Sequence, residues 1–134
     1  MRQKHILLVD DESDIREVAG LSLEAVGGWQ VSSAGSGREG IEKALAARPD
    51  AILLDVMMPE MDGPTTFASL QRDPASRGIP VVLLTAKVQA ADRARMGELG
   101  VAAVLSKPFD PMTLPDQVAA ALGGTLRRRG PEPI

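Results

Sequence analysis

The segment AILLDVMMPEMDG, Ala51 through Gly63, decides the fold. Its first four residues are uninterruptedly apolar, too few for a buried helix, and β-compatible in character. They read as a strand covered on both faces, which is the habit of a parallel sheet. The run ends on a carboxylate, Asp55, and the loop behind it offers no immediate helix for that acid to cap. Working outward, His5–Val9, Pro80–Leu84 and Val101–Leu105 repeat the same short apolar pattern and predict three more buried strands. A fifth run, Trp29–Ala34, alternates apolar and polar residues as a strand nearer the sheet edge does.

Segments of helical period separate these runs: Ser13–Val26, Ser36–Ala47, Pro64–Gln71, Val88–Leu99 and Pro115–Leu122. Ser36 with Glu39 has the spacing of a capping box, Gly27 and Gly100 stand where helix C-caps belong, and Pro115 suits a first helical turn. Strict alternation of strand and helix predicts an α/β, doubly wound, five-stranded parallel sheet with helices on both faces. Its strand order is taken as the flavodoxin-like 2-1-3-4-5, which alternation alone does not dictate.

At 134 residues the chain fits one domain. The expectation is a folded unit over residues 1–124 and a flexible C-terminal tail over 125–134, where Arg127, Arg128 and Arg129 precede two prolines. Without a second domain's length, a built-in DNA-binding module is not expected. A net charge of -3 and 2% aromatic residues argue against a nucleic-acid surface. No apolar stretch has membrane-spanning length and no secretory leader is visible, so a cytoplasmic location without membrane contact is expected. With no cysteine and a single histidine, His5, any metal must be held by oxygen.

Asp10 and Asp11 follow the first strand and Asp55 ends the third, all at carboxyl ends, where open α/β sheets place ligands. Carboxylates brought close together repel, and a hard, oxygen-seeking ion such as Mg²⁺ relieves that repulsion. Asp11 alone would be equally well explained as a cap for the next helix. Thr85 and Lys107, at the ends of the fourth and fifth strands, supply a hydroxyl and an ammonium suited to phosphate oxygens. Met singly, each would read as a helix cap or a surface charge; together with three acids at strand ends they point to a phosphoryl site.

The acidic pair in Val9-Asp10-Asp11-Glu12, the acceptor loop from Asp55 to Gly63, Thr85-Ala86 and Lys107-Pro108-Phe109 together resemble the receiver domain of bacterial response regulators, of the single-domain chemotaxis type. The likeness covers Lys4 to Leu122. It implies a phosphorelay switch in two-component signalling, in which Asp55 takes a phosphoryl group from a phosphohistidine of a sensor histidine kinase or phosphotransfer protein. Asp10, Asp11, Asp55 and the main-chain carbonyl of Met57 would hold Mg²⁺. Thr85 and Lys107 would bind the phosphoryl oxygens, and the Lys107–Pro108 peptide would be cis. Output to an effector protein would pass through the face made by the fourth helix, fifth strand and fifth helix, with Arg93, Arg95 and Glu98 as candidate contacts. Such a switch has no separate turnover substrate.

One position departs from the family: Val104 stands where many receivers carry an aromatic residue coupled to the threonine, which puts that route of signal transmission in doubt. Family experience also sets Met57 and Lys87 beside the path of water attacking the acyl phosphate. Met57 cannot orient water by hydrogen bonding, so slow or moderate self-dephosphorylation is expected. Three rivals are weighed. A flavin module would need a phosphate-cradling loop where Asp10, Asp11 and Glu12 stand. A phosphate-ester hydrolase would carry Asp-x-Asp after the first strand, with a cap insertion. A degenerate receiver acting as an interaction scaffold would be expected to lack one of the acids.

Overall fold

The computed structural model describes residues 4–86 and 90–123, without the side chains of 90–93. Lys87, the side chain of Arg93 and the tail expected over 125–134 lie outside the described residues. Five parallel strands run β1 His5–Val9, β2 Gln30–Ala34, β3 Ala51–Asp55, β4 Val81–Thr85 and β5 Ala103–Ser106. They line up in the order 2-1-3-4-5. The helices are α1 Ser13–Leu21, α2 Gly37–Ala47, α3 Gly63–Arg72, α4 Ala90–Gly97 and α5 Leu114–Ala121.

Alternation of side chains along the central strands divides the core in two. Ile6, Leu8, Leu53, Val82 and Leu84 face one way, onto Ala19 and Leu23 of the first helical segment, Trp29, and Leu114 and Val118 of α5. Leu7, Val9, Ile52, Leu54 and Leu83 face the other way, onto Ala44 of α2, Phe67 and Leu70 of α3, and Met96 of α4. Covering on both faces explains why β1, β3 and β4 are apolar throughout, and each fully buried leucine there stabilises the fold by about 1.5–3 kcal/mol. β5 differs from expectation. It is half-buried rather than buried, because it closes one edge of the sheet and, among the described residues, pairs only with β4.

The first helix changes character midway. After Leu21 it widens into a π-helical turn, Ser22–Val26, in which Gly27 N–H donates to the Ser22 carbonyl, five residues back, at 3.1 Å. Ser22, buried inside this turn, donates its hydroxyl to the Pro111 carbonyl in the β5–α5 loop. Gly28, not Gly27, takes the left-handed conformation, with φ 74°. Gly27 is required for space instead: a Cβ there would stand 2.5 Å from the Leu23 carbonyl oxygen. Ser36 caps α2 by accepting from Glu39 N–H at 3.1 Å, while the Glu39 carboxylate accepts from Gly35 N–H at 2.7 Å, one residue further out than in the usual box.

The other edge of the sheet is β2. Gln30 donates to Lys4 and Ala34 accepts from Asp10, so Ser33, out of phase with both, turns its carbonyl away from β1. Lys43 of α2 reaches over and donates to that carbonyl at 2.5 Å.

Candidate functional site

The chain passes from β1 out to β2 and returns across β1 to β3, so β1 and β3 are neighbours whose following helices leave to opposite faces. A crevice at the carboxyl ends of these two strands is the geometric result. Asp10 continues β1 into it, anchored by its N–H to the Ala34 carbonyl at 3.1 Å. Asp55 ends β3, and Val56 behind it still donates to Leu84 of β4 at 3.1 Å. Both acids are buried.

The acceptor loop is tightly folded. Glu60 adopts φ 68°, Gly63 N–H returns to the Val56 carbonyl at 2.8 Å, and Asp62 caps α3 by accepting from Thr65 N–H at 2.8 Å. Only glycine fits at position 63: a Cβ would stand 2.6 Å from the Asp55 carbonyl oxygen. From the other side, Lys107 N–H donates to the Thr85 carbonyl at 2.8 Å, and the Lys107–Pro108 peptide is cis. The Lys107 ammonium reaches the crevice, 2.9 Å from Asp10 Oδ2, 3.1 Å from Asp55 Oδ1 and 3.6 Å from Glu12 Oε1. Thr85 is fully buried at the end of β4, and its register partner is Ser106.

Four carboxylates, Asp10, Asp11, Glu12 and Asp55, place oxygens within 4.8 Å of one another, against one ammonium among the described residues. The balance is negative. Asp10 Oδ1 accepts from Glu12 N–H at 2.9 Å, but Asp55 Oδ2 is buried with no hydrogen-bond partner among the described residues. Asp10 Oδ2 lies close to Lys107 without an aligned hydrogen bond. Burial, then the charge of Asp10, push the Asp55 carboxyl up to about 6, against the opposing pull of Lys107 and the Met57 amide. Burial works to lower the Lys107 ammonium, but the adjacent Asp10 and Asp55 carboxylates outweigh that and raise it. A set of hard oxygens with two under-satisfied buried atoms fits a divalent cation such as Mg²⁺.

Asp10, Asp11, Asp55 and Lys107 are therefore brought together as the sequence predicts, and Thr85 lies one strand away, tied to Lys107 through its carbonyl. The Met57 side chain is exposed, while its amide bears on Asp55. Glu12 was legible as a neighbour of the acidic pair but not as a member of the cluster. Arg16 carries no such signal along the chain; its Nη1 donates to the Asp10 carbonyl at 2.6 Å.

Comparison with known proteins bears on the family and the fold. The family model for the response regulator receiver domain matches residues 6–119. The DNA-binding dual master transcriptional regulator RpaA of Synechocystis is 37% identical over 122 residues, which is 91% of this chain and 50% of RpaA. The response regulator PleD of Caulobacter vibrioides is 44% identical over 111 residues, 81% of this chain and 24% of PleD. The chain spans about half the length of most curated relatives it matches. Among solved structures, Vibrio cholerae chemotaxis protein CheY4 superposes with a TM-score of 0.83 at 30% identity, covering 90% of this chain and 99% of CheY4. The N-terminal domain of a response regulator receiver protein from Methanoculleus marisnigri gives 0.72 at 38% identity, covering 93% and 98%.

Proposed function

This chain belongs to the response regulator receiver domain family, and from that premise we propose that Asp55 is its phosphoacceptor, charged by a phosphohistidine of a sensor histidine kinase or phosphotransfer protein. The observation that carries the reading is Asp55 itself: a buried carboxylate at a strand end, with one orphaned oxygen, facing an ammonium at 3.1 Å.

In the reaction an Asp55 oxygen attacks phosphorus as the phosphorus–nitrogen bond to imidazole breaks, and the ring nitrogen takes a proton from solvent. The product is an acyl phosphate. A carboxylate whose pKa is near 6 is ionised at neutral pH and ready to attack without a separate base. Lys107, released in part from Asp55 as the carboxylate becomes a mixed anhydride, is placed to pair with the new phosphoryl oxygens. Thr85 would supply a hydroxyl to the same group. Mg²⁺, held by Asp10, Asp11, Asp55 and the Met57 carbonyl, would supply neutralisation of charge on the transferring group. Exchange of partners at Lys107 gives the phosphorylated and free states different contacts, which a switch requires. Output then passes to an effector protein through the face of α4, β5 and α5, where Arg95 and Glu98 are exposed.

Intact mass after incubation with acetyl phosphate and Mg²⁺ tests the reading. An adduct of about 80 Da, absent from Asp55→Asn and from a chelated control, is expected. No adduct in the native chain, with acetyl phosphate or with a panel of phosphorylated histidine kinases, would overturn it in favour of a scaffold that binds partners without phosphorylation.

A further inference from the structure

Every polar atom of Asp10 has a neighbour, three of them through hydrogen bonds and Oδ2 only through its closeness to Lys107. Its N–H is bonded to Ala34 at 3.1 Å, its Oδ1 to Glu12 N–H at 2.9 Å, and its Oδ2 lies 2.9 Å from Lys107. The fourth group, the main-chain carbonyl, is held from α1 by Arg16 Nη1 at 2.6 Å. The last of these is unusual, because a carbonyl at a strand exit has water available and an arginine one turn into a helix ordinarily points to solvent. Here the guanidinium is instead laid across the β2–α2 loop: a Cβ on Gly35 would stand 3.3 Å from Nη1 and 3.7 Å from Cζ. Gly35 is in turn fixed by Glu39, whose Oε1 accepts its N–H at 2.7 Å, and the other Glu39 oxygen meets Lys43 at 3.2 Å. The charge of Arg16 is among the influences that lower the Glu39 carboxyl, after the Gly35 and Lys43 hydrogen bonds.

The carbonyl in question belongs to the rigid peptide plane joining Asp10 to Asp11. Fixing its oxygen fixes the direction of the Asp11 N–H and Cα, and so the direction from which the Asp11 carboxylate enters the acid cluster. Asp11 is exposed, and packing does little to orient it. We propose that Arg16 is a positioning residue of the cation site, aligning the Asp10–Asp11 peptide from α1, with Gly35, itself held by Glu39 of α2, keeping its guanidinium in place. The proposal rests on the reading of the acid cluster as a Mg²⁺ site.

Two effects of Arg16 oppose each other, and this makes the idea testable. Its positive charge near the cluster repels a cation, so loss of charge alone would tighten Mg²⁺ binding. Loss of alignment would weaken it, and outer-shell partners of metal ligands typically matter by tenfold or more. Mg²⁺ affinity of the full chain, measured by calorimetry and by the shift of the Asp11 amide in NMR titrations, is compared for the native chain, Arg16→Met and Arg16→Lys. Circular dichroism confirms that each is folded. The proposal expects affinity about tenfold weaker in Arg16→Met, with partial recovery in Arg16→Lys, whose ammonium reaches one carbonyl but lacks the planar fork that lies on Gly35. Native binding with equal or tighter binding in Arg16→Met overturns the proposal and leaves the metal reading intact. A native chain that binds no Mg²⁺ overturns both. If Arg16→Met does not fold, the Arg16→Lys affinity decides: a value equal to the native one sinks the idea.

Discussion

Lys107 stands 3.1 Å from Asp55 Oδ1, with the same ammonium 2.9 Å from Asp10 Oδ2. One cation thus bridges two buried carboxylates that no other described side chain neutralises. Breaking a buried pair by removing one partner costs about 3–5 kcal/mol, since the remaining charge stays buried. Lys107→Met should therefore lower stability in chelator by about 3 kcal/mol, and Mg²⁺ should restore part of it by replacing the lost charge. Urea melts with and without Mg²⁺ check this. An equal loss in both conditions would show that Lys107 contributes packing alone.

The pKa of Asp55 fixes the sign of a pH effect. Burial raises it from the usual 3.8 to about 6, so between these values the native chain binds more protons than the unfolded chain. Stability from this group is full below about pH 4 and is lost as pH rises through about 6. At about 1.4 kcal/mol per unit, the loss amounts to roughly 3 kcal/mol. Asp55→Asn should abolish this slope, making the variant more stable than the native chain at pH 7.5 in chelator and no more stable at pH 3.5. A native slope that survives the substitution would assign the titration to another acid.

Gly63→Ala should disturb the acceptor itself. Its Cβ would meet the Asp55 carbonyl oxygen at 2.6 Å and Val56 Cα at 2.8 Å. Both are backbone atoms, which cannot swing aside as a side-chain end can. Overpacking of this kind costs about 1–3 kcal/mol, and phosphoryl uptake from acetyl phosphate should slow with it. Gly78→Ala, with no described atom within 4 Å of the new carbon, is the matched control and should change neither melting nor uptake.

Met57 governs the remaining expectation. Its side chain is 59% exposed and offers water no hydrogen bond of consequence, so the acyl phosphate should persist for minutes or longer in Mg²⁺. Met57→Asn, which can orient a water, should shorten that lifetime several-fold. Mass spectra taken at intervals after removal of acetyl phosphate give both rates. Complete loss within seconds in the native chain would contradict the expectation.

How much of this was legible depends on what kind of signal each residue carries. β1, β3 and β4 are buried on both faces, so an unbroken apolar run was sufficient to find them, and the acids ending two of them marked the crevice. β5 runs one residue past its apolar run because Ser106 is paired in register with Thr85, and a polar residue continuing a ladder looks like a loop in one dimension. β5 looks buried in sequence because Val, Leu and Ala are equally at home on a half-covered edge. The π-helical turn left no trace, since one extra residue per turn barely disturbs apolar spacing over five residues. Asp10, Asp11, Asp55 and Lys107 were found because charged groups at strand exits are conspicuous. Arg16 was not, because its role depends on Gly35 arriving from another loop, a relation invisible along the chain.

The bond from Lys43 to the Ser33 carbonyl bears on how the molecule lives among its own copies. β2 is an outermost strand whose outward carbonyls and amides would otherwise invite another chain to extend the sheet. A lysine folded over that rim occupies one acceptor and sets a positive charge in the way of an incoming strand. Protection of this edge is thus written partly into α2, a helix that packs on β1, β2 and α3.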